Sequence, residues 1–236
     1  MIALVCYSDI EHYKDEWVWY PFIPRKGITL LLGAPGIGKS MFLTQVIAVL
    51  TGGGTFPDGI KPENPMTVVY QCSDDGLSDT VKPRLMAAGA DCDKVVYIKD
   101  PDNALTLNDG FVGDAMKKTD CGMFVFDSYR AHVGDDWDDK AEREKMLREL
   151  NGMAESNNCA VVLVGYTDQN NPDLNDIYID PGCEDIADVA KSVLLLSADS
   201  ADNRKRHVSI IKTNGAWKSA KLNFELGGVK GFRWLD

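Results

Sequence analysis

Six short apolar runs recur along the chain, at residues 28–32, 67–72, 95–98, 123–127, 160–164 and 193–196. They are continuous rather than alternating, as strands buried on both faces of a parallel sheet are. Between some of them the spacing changes to that of helices. Residues 41–51 are apolar on nearly every side, which predicts a helix lying against the sheet and stopped by Gly52-Gly53-Gly54. Residues 77–90 and 139–157 predict two more helices, the second with Met146, Leu147, Leu150, Met153 and Ala154 on one stripe and charges elsewhere. Strands alternating with helices predict an α/β fold, a mostly parallel twisted sheet with helices on both faces.

The carboxy-terminal part has a different pattern. Residues 207–212, 221–226 and 229–235 read as antiparallel strands, joined by turns at Asn214-Gly215 and Gly227-Gly228. Residues 130–138 and 168–183 read as long loops leaving the carboxyl edge of the sheet, where open α/β folds bind ligands. One domain is expected over residues 1–236, with a lead-in segment at 1–26 and the antiparallel strands within 200–236.

Gly33-Ala34-Pro35-Gly36-Ile37-Gly38-Lys39-Ser40 follows the first apolar run and opens the first predicted helix. This is the G-x-x-x-x-G-K-S pattern in its strand-to-helix context. Its glycines let main-chain amides turn toward phosphates, its lysine reaches the β and γ positions, and its serine ligates Mg²⁺. The expected ligands are ATP and Mg²⁺, with Met41 completing the nucleotide-holding set that begins at Gly33. Asp127 ends the run at 123–127 and is expected at the same sheet edge, as a Mg²⁺ partner or as a turn aspartate. Of Ser73-Asp74-Asp75, which end the run at 67–72, Asp74 is assigned to orienting or deprotonating the attacking water and Asp75 to capping the next helix.

Composition adds boundaries. The chain of 236 residues carries a formal net charge of −11, so contact with a nucleic acid has to be local or supplied by a ring of subunits. The six cysteines include no pair at the spacing of a zinc or redox motif, which predicts reduced, mostly buried thiols in a cytoplasmic protein. No run reaches the ~18 apolar residues of a membrane span, and the apolar amino terminus lacks the basic flank of a secretory signal.

Taken together, these motifs resemble the RecA-like P-loop ATPases, and among them the RepA-like branch of hexameric replicative helicases and their phage relatives. The resemblance rests on Trp17-Val18-Trp19-Tyr20-Pro21, on Ile23 through Leu31, on the P-loop and on Tyr70-Gln71-Cys72-Ser73-Asp74-Asp75. It continues through Lys82-Pro83-Arg84-Leu85, Ala88-Gly89-Ala90-Asp91, Val125-Phe126-Asp127-Ser128, Val161-Val162-Leu163-Val164 and Ala190-Lys191-Ser192-Val193-Leu194-Leu195. It implies a RecA-like core, a homo-oligomeric ring, commonly of six subunits, ATP hydrolysis between subunits, and loops facing a channel for single-stranded DNA.

The chain departs from the family at three places. Asp74 stands where relatives usually have glutamate, a carboxylate drawn back by about 1.5 Å, which implies slower hydrolysis. Gly165-Tyr166-Thr167-Asp168-Gln169 stands where relatives carry histidines that sense the γ-phosphate or couple to DNA. For the cationic finger donated by a neighbouring subunit, the matching neighbourhood offers Arg204, Lys205, Arg206 and Lys212. Lys212 is preferred because Lys212-Thr213-Asn214-Gly215 best resembles the family's segment. Trp137 reads either as a base-stacking ring or as a packing anchor, and Asp135, Asp136 and Asp138 around it oppose a polyanion. The resulting expectation is a Mg²⁺-dependent ATPase that moves or loads on single-stranded DNA. The alternatives are an ATPase whose assembly serves protein partners or signalling, and a small-molecule kinase.

Overall fold

The computed structural model describes residues 6, 16–72, 76–100, 104–167, 182–215, 220–227 and 231–235. The predicted alternation is present. Strands β1 (Trp17–Trp19) and β2 (Ile23–Pro24) form a small antiparallel hairpin. The P-loop strand β3 (Gly27–Gly33) leads into helix α1 (Lys39–Gly52) and strand β4 (Thr67–Cys72). Helix α2 (Lys82–Ala88), strand β5 (Val95–Val96), helix α3 (Gly110–Thr119) and strand β6 (Cys121–Asp127) follow. Next come helix α4 (Lys140–Ser156), strand β7 (Ala160–Val164), helix α5 (Cys183–Val189) and strand β8 (Ser192–Ala198). Strands β9 (Lys205–Thr213), β10 (Lys221–Leu226) and β11 (Phe232–Leu235) complete the described chain.

Among the described residues the main sheet runs β11-β10-β9-β8-β3-β7-β6-β4-β5. It is parallel from β5 to β8, and β9, β10 and β11 extend it with antiparallel pairing. β3 lies between β7 and β8, while the chain that leaves it through α1 returns to the sheet three positions away in β4. This crossover opens a crevice at the carboxyl ends of β3, β7 and β6, the place where doubly wound sheets bind ligands.

The strands are apolar throughout because each is buried on both faces. In β3, Leu30 and Leu32 point into a core closed by Val112 and Met116 of α3, Leu147 and Leu150 of α4, and Ile186 of α5. Leu31 points the other way, into a core closed by Phe42, Val46 and Leu50 of α1 and Leu85 of α2. The second core extends under the antiparallel strands, where Phe42 lies 6.0 Å from both Phe224 and Trp234, and takes in Trp19 of the lead-in hairpin. Of the cysteines, Cys72, Cys121, Cys159 and Cys183 are buried.

Some details differ from expectation. The helix over 77–90 is a π-helical turn, Leu77–Val81, continued by α2 and ended at Gly89. The strand over 95–98 is paired only at Val95–Val96. The loop at 130–138 contains two short 3₁₀ turns, Tyr129–His132 and Asp135–Asp138. α3 was not anticipated, since it contains two glycines and its buried face is only Val112, Ala115 and Met116. It is held by its cap: Asp109 accepts the Phe111 amide at 2.8 Å. α5 is too short to announce itself by periodicity.

Candidate nucleotide-binding site

The P-loop leaves β3 at Gly33 and enters α1 at Lys39. Gly36 and Gly38 have φ of 72° and 108°, in the region where a Cβ is strained, so the motif's glycines are needed for the loop's shape. Lys39 is buried to 6% exposure, and its Nζ donates to the carbonyls of Gly33 at 2.7 Å and Ala34 at 3.1 Å. The Tyr166 ring lies 4.1 Å from the same ammonium. Tyr166 is held there by its neighbours. The Gly165 amide donates to Leu31 O at 2.9 Å and the Thr167 amide to Gly33 O at 3.3 Å, so the chain after β7 runs beside the start of the P-loop.

The second acidic position arrives from β6. Asp127 pairs in register with Val164 of β7 and Cys72 of β4, at the carboxyl edge from which the P-loop also emerges. Tyr70 of β4 donates its hydroxyl to Asp127 Oδ2 at 2.9 Å and is also hydrogen-bonded to the Ser40 side chain. One phenol therefore joins the P-loop serine to the strand-end aspartate. Burial pushes the Tyr70 hydroxyl well above the ordinary tyrosine value, and the Asp127 charge and hydrogen bond add to the shift.

This arrangement fits a Mg²⁺-nucleotide. Mg²⁺ is usually held by one or two protein oxygens, with phosphate oxygens and water completing the shell. Ser40 and Asp127 are two such oxygens brought together on Tyr70, and among the described residues no cluster of three or more His, Cys, Asp or Glu forms a self-sufficient metal site. A metal at this edge would have to share its coordination with phosphate.

The sequence from residue 11 to residue 171 matches the AAA domain family. The chain belongs to that family. Among solved structures, this AAA domain is similar to the ATPase domain of a replicative helicase, with a TM-score of 0.65 and 11% identity over 90% of this chain and 85% of that one. At that identity the likeness is one of fold, and it bears out the RecA-like P-loop architecture that the resemblance implied. No curated protein matches the sequence significantly. No helix among the described residues is long and apolar enough to cross a membrane.

The other expected site residues of this AAA domain are distributed unevenly. Asp74 and Asp75 lie outside the described residues, as do Asp168 and Gln169; β4, which precedes Asp74, ends at Cys72 beside Asp127. Lys212 is not brought to this chain's own P-loop. It pairs with Val193 near the amino end of β8, and its Nζ donates at 2.8 Å to both Ala187 O and Asp188 O at the end of α5. Arg204 pairs with Asp202 at 3.4 Å and with Glu225 at 3.7 Å. Arg206 instead faces the P-loop, with its Nε donating to Ile37 O at 3.0 Å. Trp137 is 2% exposed, 5.7 Å from Tyr129 and beneath the Arg143 guanidinium, so of its two readings the structure selects the packing anchor.

Sequence reasoning did not single out Tyr70 as a bridge or Tyr166 as the lysine's neighbour. A signal for Tyr70 was present: a phenol in an otherwise apolar buried strand needs a hydrogen-bond partner. Tyr166 and the Arg206 contact depend on segments distant in sequence, and local pattern holds no trace of them.

Proposed function

We propose that this AAA domain binds and hydrolyses ATP with Mg²⁺, and that it works as a homo-oligomeric ring that moves or loads on single-stranded DNA. The observation carrying the hydrolase part is the convergence of Lys39, Ser40, Tyr70 and Asp127 at the carboxyl edges of β3, β4 and β6. In this proposal the amides of residues 36–41 hold the phosphates, and the Lys39 ammonium exchanges the carbonyls of Gly33 and Ala34 for β and γ oxygens. Ser40 and Asp127 hold the metal, which supplies charge neutralisation across those oxygens. Asp74 orients the attacking water and takes its proton as the bond from γ-phosphorus to the bridging oxygen breaks, releasing ADP and phosphate. Lys212 would act on a neighbour's nucleotide only by leaving the carbonyls of α5.

The DNA part rests on the family resemblance and is tested by ATP turnover with and without single-stranded DNA, alongside solution mass with a non-hydrolysable analogue. Stimulated turnover by a larger assembly is expected; turnover indifferent to every nucleic acid would refute it. Lys39→Ala should abolish nucleotide binding or turnover, and Asp74→Asn should keep binding and stop hydrolysis. A second reading, assembly that serves a protein partner, is favoured by the exposed Asp135, Asp136 and Asp138 after β6, which would repel a polyanion. In that case ATP changes oligomer size while DNA binding is absent.

A further inference from the structure

The antiparallel strands do more than extend the sheet. Arg206 of β9 reaches across to the P-loop, where its Nε donates to Ile37 O at 3.0 Å, while its Nη1 donates to Lys205 O at 2.9 Å and also to Asn203 O. Leu226 of β10 presses on the next residue, with its Cδ1 2.5 Å from where a Gly38 Cβ would stand. A guanidinium on one carbonyl and a leucine on the adjacent Cα grip a single peptide unit, the one between Ile37 and Gly38.

In a trans peptide the C=O and N–H point in opposite directions. Arg206 holds the Ile37 carbonyl toward the β9–β10 hairpin, so the Gly38 amide faces away from the hairpin, into the space the loop encloses. That amide is one of those by which a P-loop cradles the phosphates next to the nucleoside. A peptide followed by glycine turns over easily, because glycine accepts both signs of φ. The motif's own composition therefore leaves the plane of this peptide undecided, and a side chain 169 residues away decides it. We infer that Arg206 is a positioning residue for nucleotide binding in cis, which orients the Gly38 amide toward the phosphates and is not available as a finger for a neighbouring subunit.

This inference rests on the nucleotide-binding reading, and the test separates the two. Binding of fluorescent ADP and ATP analogues is titrated for the parent protein, Lys39→Ala, Arg206→Met and Arg206→Lys, with thermal unfolding of each measured without nucleotide. If the peptide loses its bias and is correctly oriented about a tenth of the time, apparent affinity falls by about tenfold. Arg206→Met, which keeps the aliphatic stem, is expected to weaken ADP and ATP equally by about that factor, with its unfolding midpoint near the parent's. Arg206→Lys, which keeps a charged donor, is expected to recover most of the loss. A parent that binds neither nucleotide refutes the underlying reading. A parent that binds, with Arg206→Met equal to it, refutes the inference alone. Loss confined to ATP would place Arg206 on the terminal phosphate and also overturn it. Should Arg206→Met not fold, Arg206→Lys with affinity as low as that of Lys39→Ala would overturn the donor argument.

Discussion

Tyr70→Phe deletes one oxygen atom from the middle of the candidate site and leaves the ring, and so the packing, in place. Tyr70 is 3% and Asp127 8% exposed, and their hydrogen bond is 2.9 Å long. A buried hydrogen bond to a charged group contributes about 1.5–3 kcal/mol. Taking about 2 kcal/mol, and about 2–4 °C per kcal/mol for a domain of this size, the unfolding midpoint should fall by about 4–8 °C at neutral pH. The pH dependence gives a sharper check. The folded protein holds the Tyr70 proton more tightly than the unfolded chain does, because burial and Asp127 raise the hydroxyl above its ordinary value of 10.0. The stability this provides is complete below that ordinary value and is lost as pH rises above it toward the folded value. The parent's advantage over Tyr70→Phe should therefore shrink above about pH 10. Because the hydroxyl also joins Ser40 to Asp127, half-saturating Mg²⁺ for ATP turnover should rise by about tenfold, equivalent to about 1.4 kcal/mol of lost positioning. Denaturant unfolding at neutral and alkaline pH and a Mg²⁺ titration measure these effects. A variant as stable as the parent at neutral pH, or a difference that grows in alkali, would refute the bridge.

Trp137→Ala should cost about 3–5 kcal/mol in denaturant unfolding, whereas Trp137→Phe should leave any DNA-stimulated turnover unchanged, since the ring is only 2% exposed. Burial depresses the affinity of His132 for a proton, so the stability associated with its neutral form is complete above its ordinary pKa of 6.5 and lost as pH falls below it; His132→Gln should flatten unfolding midpoints between about pH 7 and 5. Gly38→Ala should weaken nucleotide binding at least as much as Arg206→Met, because a methyl group at φ 108° would also meet Leu226. Mixing Lys212→Ala with Lys39→Ala subunits should restore turnover if Lys212 serves the neighbouring site, and no recovery would end that assignment.

Much of this protein is legible locally. A buried parallel strand must be apolar on both sides, so β3, β4, β6, β7 and β8 are visible as continuous runs. The P-loop is visible because its chemistry is carried by main-chain amides and a lysine within eight consecutive residues. Asp127 could be placed at the site because a residue ending a parallel strand emerges at the same edge as every other strand end. α3 escaped because its cap and three buried side chains stabilise it where periodicity is weak.

Sequence by itself therefore determined the fold class, the nucleotide loop and the edge of the sheet where chemistry gathers, since each follows from residues adjacent in the chain or from their period. Only the tertiary structure decided that Tyr70 spans Ser40 and Asp127, that Tyr166 faces Lys39, that Lys212 turns to the end of α5, and that Arg206 grips the loop at Ile37. Those contacts join segments whose meeting depends on strand order and register. A side chain's partner across a sheet is set by how the whole sheet is assembled, and local spacing does not encode it.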